Sequence, residues 1–337
     1  MYKIAIIGSS SAGALEYSYK SAFEYLGHEV LLASPAQYIN RHIPLKKFGQ
    51  IVETYIGIES WEKKGNRALA LSIKDFAPQL VLVFCNTNVL YGTLAFLRSV
   101  TKAKFGLLWP DTLFNLTPKV AANSKLFDFV GTYSSTSVAV FEQAGFNNVF
   151  WLPLAADSFQ HNKENLPDKY SSDISFIGGW RPEREQYLKL IRENFQNADM
   201  LIKGPEWLKR CKIKSLRSII DDGPAYGNAF AELLNSSRIN LNIIDDTNYP
   251  AANMRFFEIP VSKGLQLSSS CPEFENEFKD GQSIEYFSDE ASLLNKISKI
   301  LSSSDVDRKS LIDNAYNIIL DRHTYNHRAK ELLKYIQ

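Results

Sequence analysis

The segment Asp173-Ile174-Ser175-Phe176-Ile177-Gly178-Gly179-Trp180-Arg181-Pro182-Glu183-Arg184 decides the fold. Its first five residues form a short, mostly apolar run that suits a buried strand. The glycine pair lets the backbone turn tightly, and Pro182 suits the first position of a helix, where its missing N–H costs nothing. The pattern beyond it predicts a helix over 183–194. The chain opens with the same sequence of events. Lys3–Ile7 reads as an apolar strand, Gly8 to Gly13 as the turn, and 14–26 as a helix stopped by Gly27. Two such openings in 337 residues, a length beyond one ordinary core, predict two α/β domains.

Between them, strands are expected at 29–33, 80–84, 104–109, 127–133 and 148–152, with helices at 89–100 and 137–144. This alternation is that of a parallel sheet covered on both faces. The second half repeats it, with strands at 174–177, 200–202, 239–244 and 265–267, helices at 225–234 and 255–262, and consecutive helices from 290 onward. Residues 34–79 carry no comparably clear pattern. The polar stretch 156–172 contains Pro167 and lacks apolar periodicity, so it reads as a linker. The expected organisation is therefore a first domain over 1–155, the linker 156–172, and a second domain over 173–337 that includes the terminal helices. Both domains read as Rossmann-like and doubly wound. Ligands bind outside the carboxyl ends of such strands, so the two domains are expected to face a central cleft.

Lys and Arg number 38 against 37 Asp and Glu, a balance that argues against a general polyanion-binding role; no nucleic-acid partner is expected. Cys85, Cys211 and Cys271 are few, odd in number and far apart, which fits a reducing compartment, and a cytoplasmic location is expected. No apolar run approaches the ~18 residues of a membrane span, and the N-terminus lacks a signal layout; peripheral membrane contact is compatible with both. His323 and His327 lack a third ligand and read as a surface pair, so no metal site is expected.

Three motifs carry candidate chemistry. Around Gly8, Ser10 and Gly13, main-chain N–H groups at a helix start can receive an oxyanion such as phosphate; the alternative is a tight turn that binds nothing. Ser10 stands where a dinucleotide fingerprint has its second glycine, and the next strand ends in Ala33-Ser34-Pro35 without the ribose-gripping acid, which argues against a nicotinamide enzyme. Beside Gly178 and Gly179, Arg181 or Arg184 can grip a diphosphate bidentately; the alternative is a capped helix whose arginines pair with Glu183 or Glu185. In Asn253-Met254-Arg255-Phe256-Phe257-Glu258, Arg255 and Glu258 share a helical face. A carboxylate there can accept hydrogen bonds from both ribose hydroxyls, or simply pair with Arg255. Asp111, after the strand 104–109, is the candidate base for an acceptor hydroxyl in an inverting reaction, with Glu16 as its rival and a turn or helix-cap aspartate as the alternative. The Asp305-Val306-Asp307 triplet reads as a helix cap and Asp245-Asp246 as loop residues near the cleft.

The blocks at 173–178, 253–260, 278–289 and 322–328 occur in an order that resembles the C-terminal domain of the CgeB-like (spore maturation protein) glycosyltransferases, from Asp173 to the C-terminus. Leu152-Pro153-Leu154-Ala155-Ala156-Asp157 also looks like the exit from the first domain in GT-B chains. The resemblance implies the GT-B fold with a group-one-like second domain, and glycosyl transfer from a nucleotide-diphosphate sugar with no separate cofactor and no metal. It places Glu258 on the donor ribose and Arg181, with Arg184, on the diphosphate. Two positions depart from the family pattern: Pro250 stands where many retaining relatives carry a second glutamate, and Lys263 where small residues precede the glycine. The rival reading is a non-catalytic GT-B relative that binds a sugar nucleotide or glycan for an assembly.

Overall fold

The computed structural model describes residues 1–11, 13–44, 58–85, 87–167 and 169–336. They form two compact units, Met1–Pro153 with Tyr325–Gln337, and Leu154–Thr324.

The first unit runs β1 (Lys3–Ile7), α1 (Leu15–Tyr25), β2 (Glu29–Ala33), α2 (Pro35–Asn40), α3 (Glu59–Phe76), β3 (Leu80–Phe84), α4 (Tyr91–Val100), β4 (Lys104–Trp109), α5 (Pro118–Ala121), β5 (Phe129–Thr132), α6 (Ser137–Gln143) and β6 (Val149–Trp151). Its six strands pair in parallel in the order β2-β1-β3-β4-β5-β6. The strands β1 and β3 are apolar nearly throughout because both faces of the sheet are covered. Val81, Val83, Phe105, Leu107 and Trp109 pack with Leu69 and Ile73 of α3 and with Leu94 and Leu97 of α4. Gly65 lies within α3 because the helix presses on α2 there: a Cβ at Gly65 would stand 2.6 Å from the Ile39 Cα.

The second unit runs β7 (Ser172–Ile177), α7 (Pro182–Asn194), β8 (Met200–Lys203), α8 (Trp207–Arg210), α9 (Lys214–Arg217), β9 (Ile220–Asp221), α10 (Gly227–Asn235), β10 (Ser237–Asn242), α11 (Met254–Val261), β11 (Gln266–Ser269), β12 (Glu285–Phe287), α12 (Glu290–Ser302) and α13 (Asp305–Arg322). Its sheet is again parallel, in the order β12-β11-β10-β7-β8-β9. The final helix, α14 (Tyr325–Leu333), belongs to the first unit. The Tyr325 and Tyr19 ring centroids are 5.1 Å apart, Arg328 Nε donates to the Pro153 carbonyl at 2.8 Å, and Tyr335 stacks on Phe129 and Phe150.

Four expectations are corrected. Residues 156–167 and 169–171, read as linker, are laid along the second unit by backbone hydrogen bonds, which leave no periodic trace. The Asp157 carboxylate accepts from the amides of Phe159 and Gln160, Lys163 N donates to the Val261 carbonyl, and Ser171 N to that of Ser236. The second domain does not keep all the terminal helices, since α14 closes the first unit. His323 is no surface residue: it is buried among Phe257, Phe274 and Phe278, with Nε2 2.9 Å from Glu277 Oε2. In the 305–307 triplet, the cap of α13 is Ser304, whose hydroxyl accepts from Asp307 N, while Asp305 pairs with Arg308.

Candidate functional site

In the second sheet the chain steps from β7 outward to β8 and β9, then returns to place β10 on the other side of β7. That reversal opens a crevice outside the carboxyl ends of β7 and β10. Gly178-Gly179 follows β7 and Asp245 follows β10. A larger residue at Gly178 would meet the Phe176 ring, with a Cβ 3.0 Å from its tip. The turn is anchored from both sides: Gly178 N donates to the Lys203 carbonyl at 2.9 Å, and Trp207 Nε1 donates to the Gly178 carbonyl at 2.8 Å.

Both arginines turn onto Asp245 and not onto Glu183 or Glu185. Arg181 Nε lies 2.9 Å from Asp245 Oδ2, and Arg184 Nη2 lies 3.0 Å from Oδ1. Arg184 also donates through Nη1 to the Gly179 carbonyl at 2.8 Å and lies over the Phe176 ring. Its side chain is 13% exposed and that of Arg181 is 50% exposed, so one guanidinium is fixed and the other faces water. Burial pushes Arg184 down, against the opposing pull of Asp245, and burial pushes Asp245 up despite the two guanidinium groups. Glu185 instead accepts from Trp180 Nε1.

The helix α11 starts beside this crevice. Asn253, expected to touch donor, is its N-cap: Oδ1 accepts from Phe256 N at 3.1 Å, while Nδ2 donates to Asn242 Oδ1 at 2.8 Å and ties the helix start to the end of β10. Arg255 donates to Glu258 Oε2 through Nη1 and to the Ile177 carbonyl through Nε at 2.9 Å, with its guanidinium 4.4 Å from the Phe230 ring centroid. The internal ion pair thus exists. It engages Glu258 Oε2, while Oε1 faces His161 Nδ1 at 4.0 Å, a buried nitrogen with no hydrogen-bond partner among the described residues. His161 packs edge-on against Phe230. At Lys263, which is held at a positive φ of 58°, Nζ reaches Asp313 and lies over Tyr316, away from these groups. Pro250 follows a cis peptide bond.

In the first unit, the turn at Gly8 already holds an oxyanion from the chain itself. Glu16 Oε1 accepts from Ser9 N at 2.7 Å, and a Cβ at Gly8 would fall 2.4 Å from that oxygen. A carboxylate in the first turn suits the positive end of α1. Ser10 is half-buried and Gly13 exposed in the same turn. Asp111 follows β4 as expected, and both its oxygens are engaged, Oδ1 by Thr112 N at 2.7 Å and Oδ2 by Asn115 Nδ2 at 2.6 Å. Glu16 and Asp111 both act on Cys85, whose thiol is pushed up first by burial and then by these two carboxylates. A cavity of about 350 Å³ opens at the ends of β3 and β4, lined by Thr87, Tyr91, Trp109, Asn115 and Lys119 among others.

Of the residues expected on the donor, Gly178, Gly179, Arg181, Arg184, Asn253, Arg255 and Glu258 meet at one crevice, whereas Gly8, Ser10 and Gly13 lie in the first unit. The sequence reading left Asp245 as a loop residue and missed His161. Asp245 had a signal, its place directly after a strand beside the chain reversal. His161 had none, because the segment that carries it has no periodic pattern.

The sheets and site define a class. Both units match GT-B glycosyltransferase structures, and the chain has the GT-B fold. A glycosyltransferase from Rickettsia africae is 12% identical, with 99% of this chain and 97% of that chain covered at a TM-score of 0.68. Sucrose-phosphate synthase from Thermosynechococcus elongatus is 12% identical over 99% and 98%, at 0.66. Anabaena HepE, solved in complex with UDP-glucose, is 11% identical over 99% and 100%, at 0.65. More particularly, residues 181–334 match the family model described as "Glycosyl transferase-like". No curated protein matches the sequence. Among the described residues no helix is long and apolar enough to cross a membrane.

Proposed function

We propose that this chain is a CgeB-like glycosyltransferase that moves a sugar from a nucleotide-diphosphate donor to an acceptor hydroxyl in the cytoplasm. The observation that carries the reading is the crevice of the second unit, where a glycine turn, two arginines and a buried carboxylate meet at the chain reversal of a GT-B sheet. Glu258 Oε1 accepts from the donor ribose. Arg181 and Arg184 take the diphosphate, whose negative charge grows as the glycosidic bond breaks; fixed cations aimed there lower the barrier. The guanidinium groups supply the compensating charge, so the reaction is assigned as metal-independent. Arg255 holds Glu258 in place, and Asn253 fixes the start of the helix that carries it. In the first unit, Asp111 is assigned to the acceptor proton, while the Gly8 to Gly13 turn, whose Ser9 amide is taken by Glu16, is left out of the donor site.

Pro250 favours one second reading, a sugar-nucleotide-binding protein without transfer activity, because it replaces an acid that many retaining relatives carry. Nucleotide sugars screened for thermal stabilisation and slow hydrolysis separate the two. Stabilisation with hydrolysis is the expected outcome. Stabilisation alone supports the second reading, and neither overturns the donor site.

A further inference from the structure

The Asp245 carboxylate bridges the two arginines that, on the reading above, receive the donor diphosphate. Nothing in the geometry requires it for holding Arg184, which is fixed independently by the Gly179 carbonyl and the Phe176 ring. Arg181 is different: its exposed side chain has Asp245 as its ion-pair partner among the described residues. The backbone at Asp245 is anchored, since its carbonyl accepts from Asn248 N at 2.8 Å and Tyr249 N at 3.3 Å. Any displacement of the carboxylate therefore falls to the side chain, which is 11% exposed.

We propose that Asp245 is a built-in competitor for the phosphate site: its carboxylate occupies Arg181 and Arg184 in the absence of ligand and is displaced by the diphosphate of a nucleotide. This inference rests on the donor-site reading and adds to it what sets the affinity. A diphosphate offers more acceptor oxygens than one carboxylate, in a geometry that suits both guanidinium forks. The carboxylate is also poorly accommodated where it sits. Burial raises the cost of its charge, and Glu183 and Asp246 add repulsion to the attraction of the two arginines. When the sugar has left and the diphosphate must go, the returning carboxylate competes for the same guanidinium groups and shortens the life of the product complex.

The test is calorimetric titration of the full chain with inorganic pyrophosphate and with the nucleoside diphosphate that binds best. Asp245→Asn keeps the shape of the side chain and removes its charge. It is expected to bind both ligands at least about five-fold tighter, and the bare nucleoside as before. Equal or weaker binding of pyrophosphate overturns the proposal and makes Asp245 a positioning residue. A second measurement needs no variant: the Arg181 Nε–H resonance of the unaltered protein is expected to shift when pyrophosphate binds, and a resonance that stays in place overturns the exchange. Arg181→Ala and Arg184→Ala distinguish failure of the donor-site reading. If neither they nor their combination weakens diphosphate binding, the phosphate was never at these residues, whatever Asp245 does.

Discussion

Replacing Glu258 by Ala separates the ribose grip from the phosphate grip, and the structure sets the size of the effect. The Glu258 side chain is 5% exposed; one oxygen is committed to Arg255 and the other is directed at His161 without a hydrogen bond. A single carboxylate oxygen is thus left for the ribose. Hydrogen bonds to a charged group contribute about 1.5–3 kcal/mol, which corresponds to roughly a 10- to 150-fold loss of nucleoside affinity. The variant also leaves Arg255 without its counter-ion. Because Arg255 keeps the Ile177 carbonyl and the Phe230 ring and is 30% exposed, the loss of stability falls below the ~3–5 kcal/mol of a fully buried broken pair. The assay is titration calorimetry with nucleoside, nucleoside diphosphate and pyrophosphate, with a melting curve to establish that the variant is folded. Nucleoside and nucleoside diphosphate should lose affinity together while pyrophosphate keeps its own; Arg181→Ala should weaken nucleoside diphosphate and pyrophosphate and leave the nucleoside as before. A folded Glu258→Ala protein that binds the nucleoside as tightly as before refutes the ribose role.

Two further predictions concern the first unit. Asp128 accepts from Arg98 Nη1 and from Phe105 N, and these bonds outweigh burial and hold its carboxyl below the usual range. A depressed folded value contributes stability above the unfolded pKa of about 3.9 that is lost as pH falls through the folded value. Asp128→Asn should therefore melt lower than the unaltered chain at pH 7, with the gap closing below about pH 4; a gap independent of pH counts against the ion pair. For Gly65→Ala, helix propensity alone favours the change by about 1 kcal/mol. The new Cβ would meet the Ile39 backbone at 2.6 Å, and overpacking of about 1–3 kcal/mol should win. Chemical denaturation should show net destabilisation, and a more stable variant would mean that α2 yields.

The strands were readable because a parallel sheet covered on both faces needs nearly continuous apolar runs, as at Leu80–Phe84 and Lys104–Trp109. The helix α3 was not, although it is 18 residues long. Gly65 inside it looks like an interruption and is in fact a point of close approach to α2, information that resides in the neighbour and not in the helix. The two-residue strand β9 was missed because a run that short has no period. At the site, the glycine turn and the spacing of Arg255 and Glu258 were legible as local patterns. The Asp245 bridge was not, since it joins residues about sixty positions apart through the return of β10 beside β7.

The return of α14 to the first unit separates the order of synthesis from the order of assembly. Residues 1–153 leave the ribosome early, yet the helix that covers Tyr19 and holds the Pro153 carbonyl is made only after the whole of Leu154–Thr324. At roughly 5–20 residues per second, that interval is on the order of ten seconds or more. During it the nascent first half lacks the cover that α14 gives to Tyr19 of α1. The earlier-made unit thus completes last, with α14 as its fastening.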